Sequence, residues 1–402
     1  MTGIAKVGAL ADLRVVEMGS LIAGPFCGQL LGDFGADVIK IEDPGTGDAM
    51  RGWGRAKLDG QSLWWPVIAR NKRCATLNLR DPEGQAIARA LIAKADILVE
   101  NFRPGTLEKW GLGYETLATD NPGLILVRVS GYGQTGPYRD RVGFGAIAEG
   151  LGGLRYVTGD PDRPPVRPGI SIGDTLAATY GCLGALAAVH ARARTGRGQV
   201  VDAALYESVL TVMENLVTEY DKLGYIRERS GSILPGIAPS NVYPCADGVM
   251  MLIGGNNDAI FARMAEAMGQ PELAKSLDYA THDARGRNQA RLDALIADWT
   301  ATLPSGEVLA LMHGASVPAG PIYRASDMLA DPHFQAREAI IDVAHPVLGS
   351  LKMQGVVPKL SDTPGGVRWP GPALGEHNAE IYGGVLGYSA EEIEALKARG
   401  VI

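Results

Sequence analysis

Along the first half of the chain, short apolar runs alternate with segments in which apolar residues recur every three or four positions. The runs at 13–17, 36–42, 74–79, 96–100 and 123–129 read as strands, each bounded by Gly, Pro, Asn or Asp. Between them the helical period predicts helices from Gly24-Pro25 to Gly35, from Asp81 to Lys94, and over 145–151. Pro25 suits a first helical turn and Gly35 a helix end. A longer helix follows from Asp174 to Arg192, then a strand at 199–202 and a helix over 204–223. In the long helix, Leu176, Tyr180, Leu183, Leu186 and Val189 form the stripe expected to be buried, with Gly181 and Gly184 admitting a neighbour closely. Near-continuous apolar strands separated by helices predict a parallel sheet covered on both faces. The first block, 1–224, therefore reads as a large α/β domain, doubly wound and Rossmann-like.

The texture changes near Tyr225. A Pro/Gly/Ser-rich connector over 230–239 leads to two strands around an Asp247-Gly248 turn, a helix at 259–268 and further helices to Met312. Residues 225–325 are expected to form a smaller α+β domain, and 326–402 a linker and a C-terminal return to the large domain. Strands are expected at 339–361. Ser389 with Glu392 three residues on marks a capping box opening a last helix that stops before Gly400.

Composition narrows the function. A 402-residue chain that is 46% apolar and carries a net charge of −7 suits two packed domains and argues against a nucleic-acid partner. The four cysteines are far apart in apolar segments and read as reduced core residues. No secretory signal and no apolar run of membrane-spanning length is apparent, so a cytoplasmic protein without a membrane partner is expected. The six histidines lack ligand spacing, which predicts no metal site. Phosphate-loop, dinucleotide and nucleophile-elbow fingerprints are also missing.

Attention therefore falls on Asp174, preceded by Gly173 at the start of the long helix. One reading makes it an N-cap, its oxygen accepting a free backbone N–H. The other makes it a nucleophile: a carboxylate is already ionised at neutral pH and needs no partner base to attack an activated carbonyl. Cys182, two turns into the same helix, reads as inert packing. Composition alone does not choose between the two readings of Asp174.

The spaced motifs do. Ala23-Gly-Pro25, Gly35-Ala-Asp-Val-Ile-Lys-Ile-Glu42, Gly47-Asp48, Asn71-Lys-Arg73, Glu100-Asn-Phe-Arg-Pro-Gly105, Gly131-Tyr-Gly133, Gly173-Asp174 and Thr195-Gly-Arg-Gly198 occur in that order. Together they resemble the family III CoA-transferases, from about residue 12 to the C-terminus. The resemblance implies that Asp174 is the nucleophile. It implies CoA contacts at Ile22, Leu77, Arg80, Asn101, Phe102 and Lys109, with Arg80 and Lys109 meeting phosphates and Leu77 and Phe102 lining an adenine slot. Trp53, Trp64 and Phe144 fall on active-site positions, and Gly254-Gly255-Asn256 on a mobile loop over the site. The fold implied is an interlocked homodimer of ring-shaped chains, the active site lying between the large domain of one and the small domain of the other. The CoA thioester is then a substrate, and no cofactor is permanently bound.

The chemistry that the resemblance implies passes CoA through an aspartyl anhydride and an aspartyl-CoA thioester. Departures narrow the substrate. Ile22 stands where formyl-CoA transferase has glutamine, and Phe144-Gly145 where it has a tyrosine–glutamate pair. A 2-methylacyl-CoA racemase of the same fold is the alternative enzyme, but Phe144 falls where its histidine would move a proton. A CoA-binding protein without turnover is the alternative outside enzymes. Ile233-Leu-Pro235, Asp247-Gly248, Gly254-Gly-Asn256-Asn257, Val317-Pro-Ala-Gly-Pro321 and His345-Pro346 resemble the branch that uses succinyl-CoA with dicarboxylates. A second carboxylate calls for a cation, and Arg51, Arg55 and Arg167 are the candidates.

Overall fold

Six parallel strands organise the first part of the chain in the computed structural model, which describes residues 8–402. They are β1 (Arg14–Glu17), β2 (Asp37–Glu42), β3 (Lys72–Thr76), β4 (Ile97–Glu100), β5 (Ile125–Ser130) and β6 (Val200–Ala204). Their order across the sheet is β3-β2-β1-β4-β5-β6, every neighbouring pair parallel. The order reverses between β1 and β4, which opens a crevice beyond the carboxyl ends of those two strands.

Alternation along each strand builds a core on either side. Val15, Val38, Ile97 and Val127 face α1 (Ala23–Asp33) and α5 (Ile172–Thr195), while Val16, Ile39, Leu98 and Leu126 face α2 (Pro82–Ile92). Asp81 caps α2 by accepting from the Glu83 amide. The C-terminal helix α7 (Ala390–Ala398) opens with the expected Ser389/Glu392 capping box and adds Leu396 to the second core.

The buried side of α5 (Ile172–Thr195) differs from the sequence expectation. Its inward residues are the small ones: Ala177, Ala178, Gly181, Cys182, Ala185 and Ala188. Leu183 is 60% and Leu186 37% exposed. A Cβ on Gly184 would stand 2.5 Å from Val201 Cγ1, so the helix lies too close to the sheet for large side chains on that face. The small residues, not the expected large ones, turn inward because they permit the closer approach. The same helix has the length and mean hydropathy (1.3) of a membrane span, contrary to the reading that no such run exists. Its inward side chains belong to the core between the sheet and α1.

By its contacts the chain forms two compact units. Among the described residues, one holds 8–154, 168–215 and 333–402; the other holds 155–167 and 216–332. Residues 155–167, assigned above to the first block, join the second unit through bonds such as Gly231 N–H to Gly159 O and Tyr156 Oη to Glu228. The helix expected over 204–223 breaks at Glu214, whose φ is +54°, into Leu205–Thr211 and Leu216–Leu223. In the second unit β7 (Ser240–Pro244), β8 (Met250–Gly254) and β9 (Ala319–Pro321) form an antiparallel sheet with β8 central, backed by α6 (Asp258–Ala267). The strands expected at 339–361 are a hairpin of β10 (Ile340–His345) and β11 (Gly349–Gln354).

Candidate functional site

Beyond the carboxyl ends of β1 to β4 lies a cavity of about 490 Å³. Its walls are the segments that leave those strands: Gly19 and Ser20 after β1, Asp43 to Asp48 after β2, Leu77 and Arg80 after β3, and Phe102 with Trp110 after β4. Three expected CoA contacts, Leu77, Arg80 and Phe102, are thus brought together. Leu77 is buried and Phe102 meets Trp110 edge-on at 5.2 Å, giving an apolar wall. The exposed Arg80 reaches Asp43 at 3.2 Å. Burial would raise the Asp43 pKa, but bonds from Gly45 and Thr46 and the Arg80 charge outweigh it and hold it below the usual range.

The other three expected contacts do not line this cavity. Ile22 is buried in a side cluster with Met50, Trp65 and Cys74, because an apolar side chain at the start of α1 gains more there than facing a wet cleft. Lys109 is exposed at the end of the short helix α3 (Thr106–Lys109), next to Trp110. Asn101 is structural: it accepts from the Ser20 amide at 2.8 Å and donates to the Ser20 carbonyl at 2.9 Å.

That clamp is one of several on the loop after β1. Leu21 holds φ at +65°, a left-handed geometry that costs a side-chain-bearing residue about 1–2 kcal/mol. Asp48 Oδ1 accepts from the Leu21 amide and Lys40 Nζ donates to the Gly19 carbonyl at 2.6 Å. Lys40 is 1% exposed and also meets Glu17 at 3.0 Å and Asp48 at 2.9 Å. Glu17, fully buried, binds Lys72 with its other oxygen at 2.6 Å. Burial alone would lower the Lys40 pKa; the carboxylates around it reverse that and hold it well above its ordinary value. Lys72 moves the other way, pulled down chiefly by burial and further by Lys40, against the attraction of Glu17. This network was not expected from the sequence; its signal was Lys40 within the buried run Val38-Ile-Lys-Ile41, since a charge there must be paired.

Asp174 lies in the first turn of α5, but Ser171 occupies the N-cap, so the capping reading of Asp174 does not hold. The half-buried carboxylate stands against the start of α4 (Gly145–Leu151). A Cβ on Gly145 would be 2.1 Å from Asp174 Oδ2 and 2.7 Å from Cγ, while a Cβ on Gly173 would be 3.0 Å from Gly145 O. Glycines on both sides let the two helix starts meet. Gly143, just before α4, is in similarly close contact with Gly131, which directly follows β5. The contacts Gly131, Gly143, Gly145 and Asp174 therefore carry the carboxylate to the carboxyl edge of the sheet, the edge that bears the cavity. Phe144 precedes α4 and is 48% exposed, so it stands beside this carboxylate without titrating. Cys182 is deep in the helix packing, and burial pushes its thiol up to about 11, away from reactivity.

Trp53 and Trp64 form an edge-on pair at 6.4 Å, and a Cβ on Gly54 would sit 2.9 Å from Trp64 Cδ1. Of the candidate cations, Arg51 is committed: it binds both oxygens of Glu42 at 2.7 Å, the Pro372 carbonyl, and the face of Trp65. Arg55 is exposed and, among the described residues, has no ion-pair partner. Arg167 belongs to the second unit. In that unit Gly254 N–H donates to Pro318 O and Gly255 N–H to Pro239 O. The Asn256 carbonyl accepts from the fully buried Arg285 at 2.7 Å, so this segment has backbone anchors at each residue. Among the described residues no cluster of metal-ligating side chains occurs.

Comparison with known proteins places the chain in a family. The sequence profile of CoA-transferase family III matches residues 10–378. The succinyl-CoA–D-citramalate CoA-transferase of Chloroflexus aurantiacus is 59% identical over 393 residues, covering 98% of each chain. The beta subunit of that organism's succinyl-CoA–L-malate CoA-transferase is 45% identical over 405 residues, covering all of both. A CAIB/BAIF family protein from Brucella suis superposes with a TM-score of 0.84 at 36% identity, over 94% of this chain and all of that one. Profile and relatives agree over nearly the whole length: the chain belongs to the family III CoA-transferases and is a CoA-transferase.

Proposed function

We propose that the protein moves CoA from succinyl-CoA to a small dicarboxylic acid of the citramalate type, with Asp174 as the covalent carrier. The observation that carries this is the placement of the Asp174 carboxylate in the first turn of α5 against Gly145, at the sheet edge that holds the apolar and polar cavity. The 59% identity to a succinyl-CoA–D-citramalate transferase supports the choice of donor and acceptor. The carboxylate attacks the thioester carbonyl, forming a mixed anhydride and expelling CoA thiolate. The thiolate attacks the aspartyl carbonyl of that anhydride, releasing succinate and leaving CoA on Asp174 as a thioester. The acceptor carboxylate attacks this thioester, and CoA thiolate leaves again. Its attack on the acceptor's acyl carbon yields the new CoA thioester and restores Asp174. The acyl bond energy is conserved throughout, so no nucleotide is consumed.

In this reading the cavity holds CoA, with Phe102, Trp110 and Leu77 against its apolar parts and Arg80 near its phosphates. Arg55 takes the second carboxylate of the acid, since Arg51 is already bound to Glu42. The working form is a homodimer, which would cover the exposed Leu183 and Leu186. Intact-protein mass after mixing with succinyl-CoA, without acceptor, tests the mechanism. The expected result is a CoA adduct on the wild type that citramalate clears and that Asp174→Asn does not form. A wild type that turns over without any adduct would overturn it.

A further inference from the structure

Glu100, the last residue of β4, and Arg128 of β5 are both nearly fully buried beside the cavity, although neither lines it. Glu100 Oε2 accepts from the Phe102 amide at 2.7 Å, and its Oε1 accepts from Arg128 Nε at 2.7 Å. The other end of the guanidinium reaches α3, where Nη1 donates to Glu108 Oε1 at 2.7 Å and Nη2 to Glu108 Oε2 at 3.3 Å. The chain between Glu100 and Glu108 turns at Gly105, whose φ is +85°. One arginine thus ties both ends of that turn. Phe102 follows the first tie by two residues and Trp110 the second by two, and these two rings form the cavity's apolar wall.

From this we infer that Arg128 and Glu100 are positioning residues for acyl-CoA: they set the separation and angle of the Phe102 and Trp110 rings that receive it. The inference rests on the reading that this cavity binds CoA. A single guanidinium spanning two carboxylates does this well because its fork is planar and rigid, whereas a lysine reaches one of them. The charged groups facing Glu100 are Arg128 from β5 and Glu108 from α3. Burial, opposed by Arg128, pushes the Glu100 carboxyl up to about 7. Protonation near neutrality then weakens the tie to Arg128 and loosens the Phe102 end, so CoA affinity falls as pH is lowered through that range.

The test is calorimetric titration with CoA between pH 6 and 8.5, using wild type, Arg128→Lys, Glu100→Gln and Glu108→Gln, together with steady-state kinetics. Arg128→Lys is expected to weaken CoA binding tenfold or more and to raise the KM for succinyl-CoA, with kcat within threefold and the acceptor KM unchanged. Wild-type affinity is expected to fall more steeply toward pH 6 than that of Glu100→Gln. Should Arg128→Lys fail to fold, Glu108→Gln removes the exposed end of the tie and is expected to weaken CoA threefold or more. Unchanged CoA binding in folded Arg128→Lys or Glu108→Gln, or equal pH profiles for wild type and Glu100→Gln, would overturn the inference. Failure of the wild type to bind CoA at all would instead sink the assignment of the cavity.

Discussion

The carboxylate of Asp174 rests against the Cα of Gly145, so closely that a methyl group there would stand 2.1 Å from Oδ2. The direction of this carboxylate, the proposed nucleophile, is thus set by an absent side chain on another helix. Gly145→Ala is expected to push the carboxylate aside by about an ångström. Displacements of that size cost on the order of 100-fold in rate. The prediction is a fall in kcat of that order with CoA affinity retained, read by kinetics and calorimetry on the same sample. A kcat within threefold of wild type would show that Gly145 does not place the carboxylate.

Lys40 offers a test of how the loop after β1 is held. Its ammonium, 1% exposed, serves Glu17, Asp48 and the Gly19 carbonyl. Lys40→Met strips Asp48 of its buried cation and leaves Glu17 with Lys72 alone, a defect worth about 3–5 kcal/mol. Urea unfolding should show that loss, and Lys40→Met combined with Glu17→Gln should recover part of it. An unchanged midpoint in Lys40→Met would mean that the network carries little of the fold's stability.

Much of this site was legible in the sequence, and the failures have physical causes. Near-continuous apolar runs pointed to the covered sheet because neighbours such as Val15 and Val16, or Val38 and Ile39, need apolar partners on opposite faces. Spaced motifs pointed to Leu77, Arg80 and Phe102, and the turns at strand ends bring those three side chains to one cavity. The inward face of α5 was misread because period alone does not weigh size, and the sheet admitted the alanine and glycine side. Ile22 and Asn101 fell on motif positions, yet one went to the core and the other to clamping Ser20. Lys40, Lys72, Glu100 and Arg128 were passed over because their partners are distant in sequence and only the fold brings them together.

The pH dependence of stability gives a separate measure of Glu100. Burial raises its folded pKa from the ordinary 4.5 to about 7, so folding favours the neutral acid. The stabilising difference is fully present below about 4.5 and is lost as pH rises through 7. The slope belongs to the window between those two values and amounts to no more than about 3 kcal/mol. Glu100→Gln, which does not titrate, should gain on wild type between pH 5 and pH 8 in chemical unfolding. A constant difference between the two proteins across that window would show that Glu100 has an ordinary pKa.

Arg55 gives a test of whether the proposed acid's second carboxylate is read by this chain. It is exposed in the segment between Trp53 and the Trp64 ring, while Arg51 is held by Glu42 and Pro372. A hydrogen bond to a charged group contributes about 1.5–3 kcal/mol, which corresponds to roughly 10- to 100-fold in kcat/KM. Arg55→Ala is therefore expected to lose that much with citramalate or succinate as acceptor and to change little with a monocarboxylate of similar length. Arg55→Lys should recover part of the dicarboxylate activity, since it restores the charge without the fork. Equal losses for both acceptor classes would place Arg55 in general structure or in CoA binding. No loss for either would leave the second carboxylate to a cation other than Arg55, and the preference for dicarboxylates would then have to be sought there.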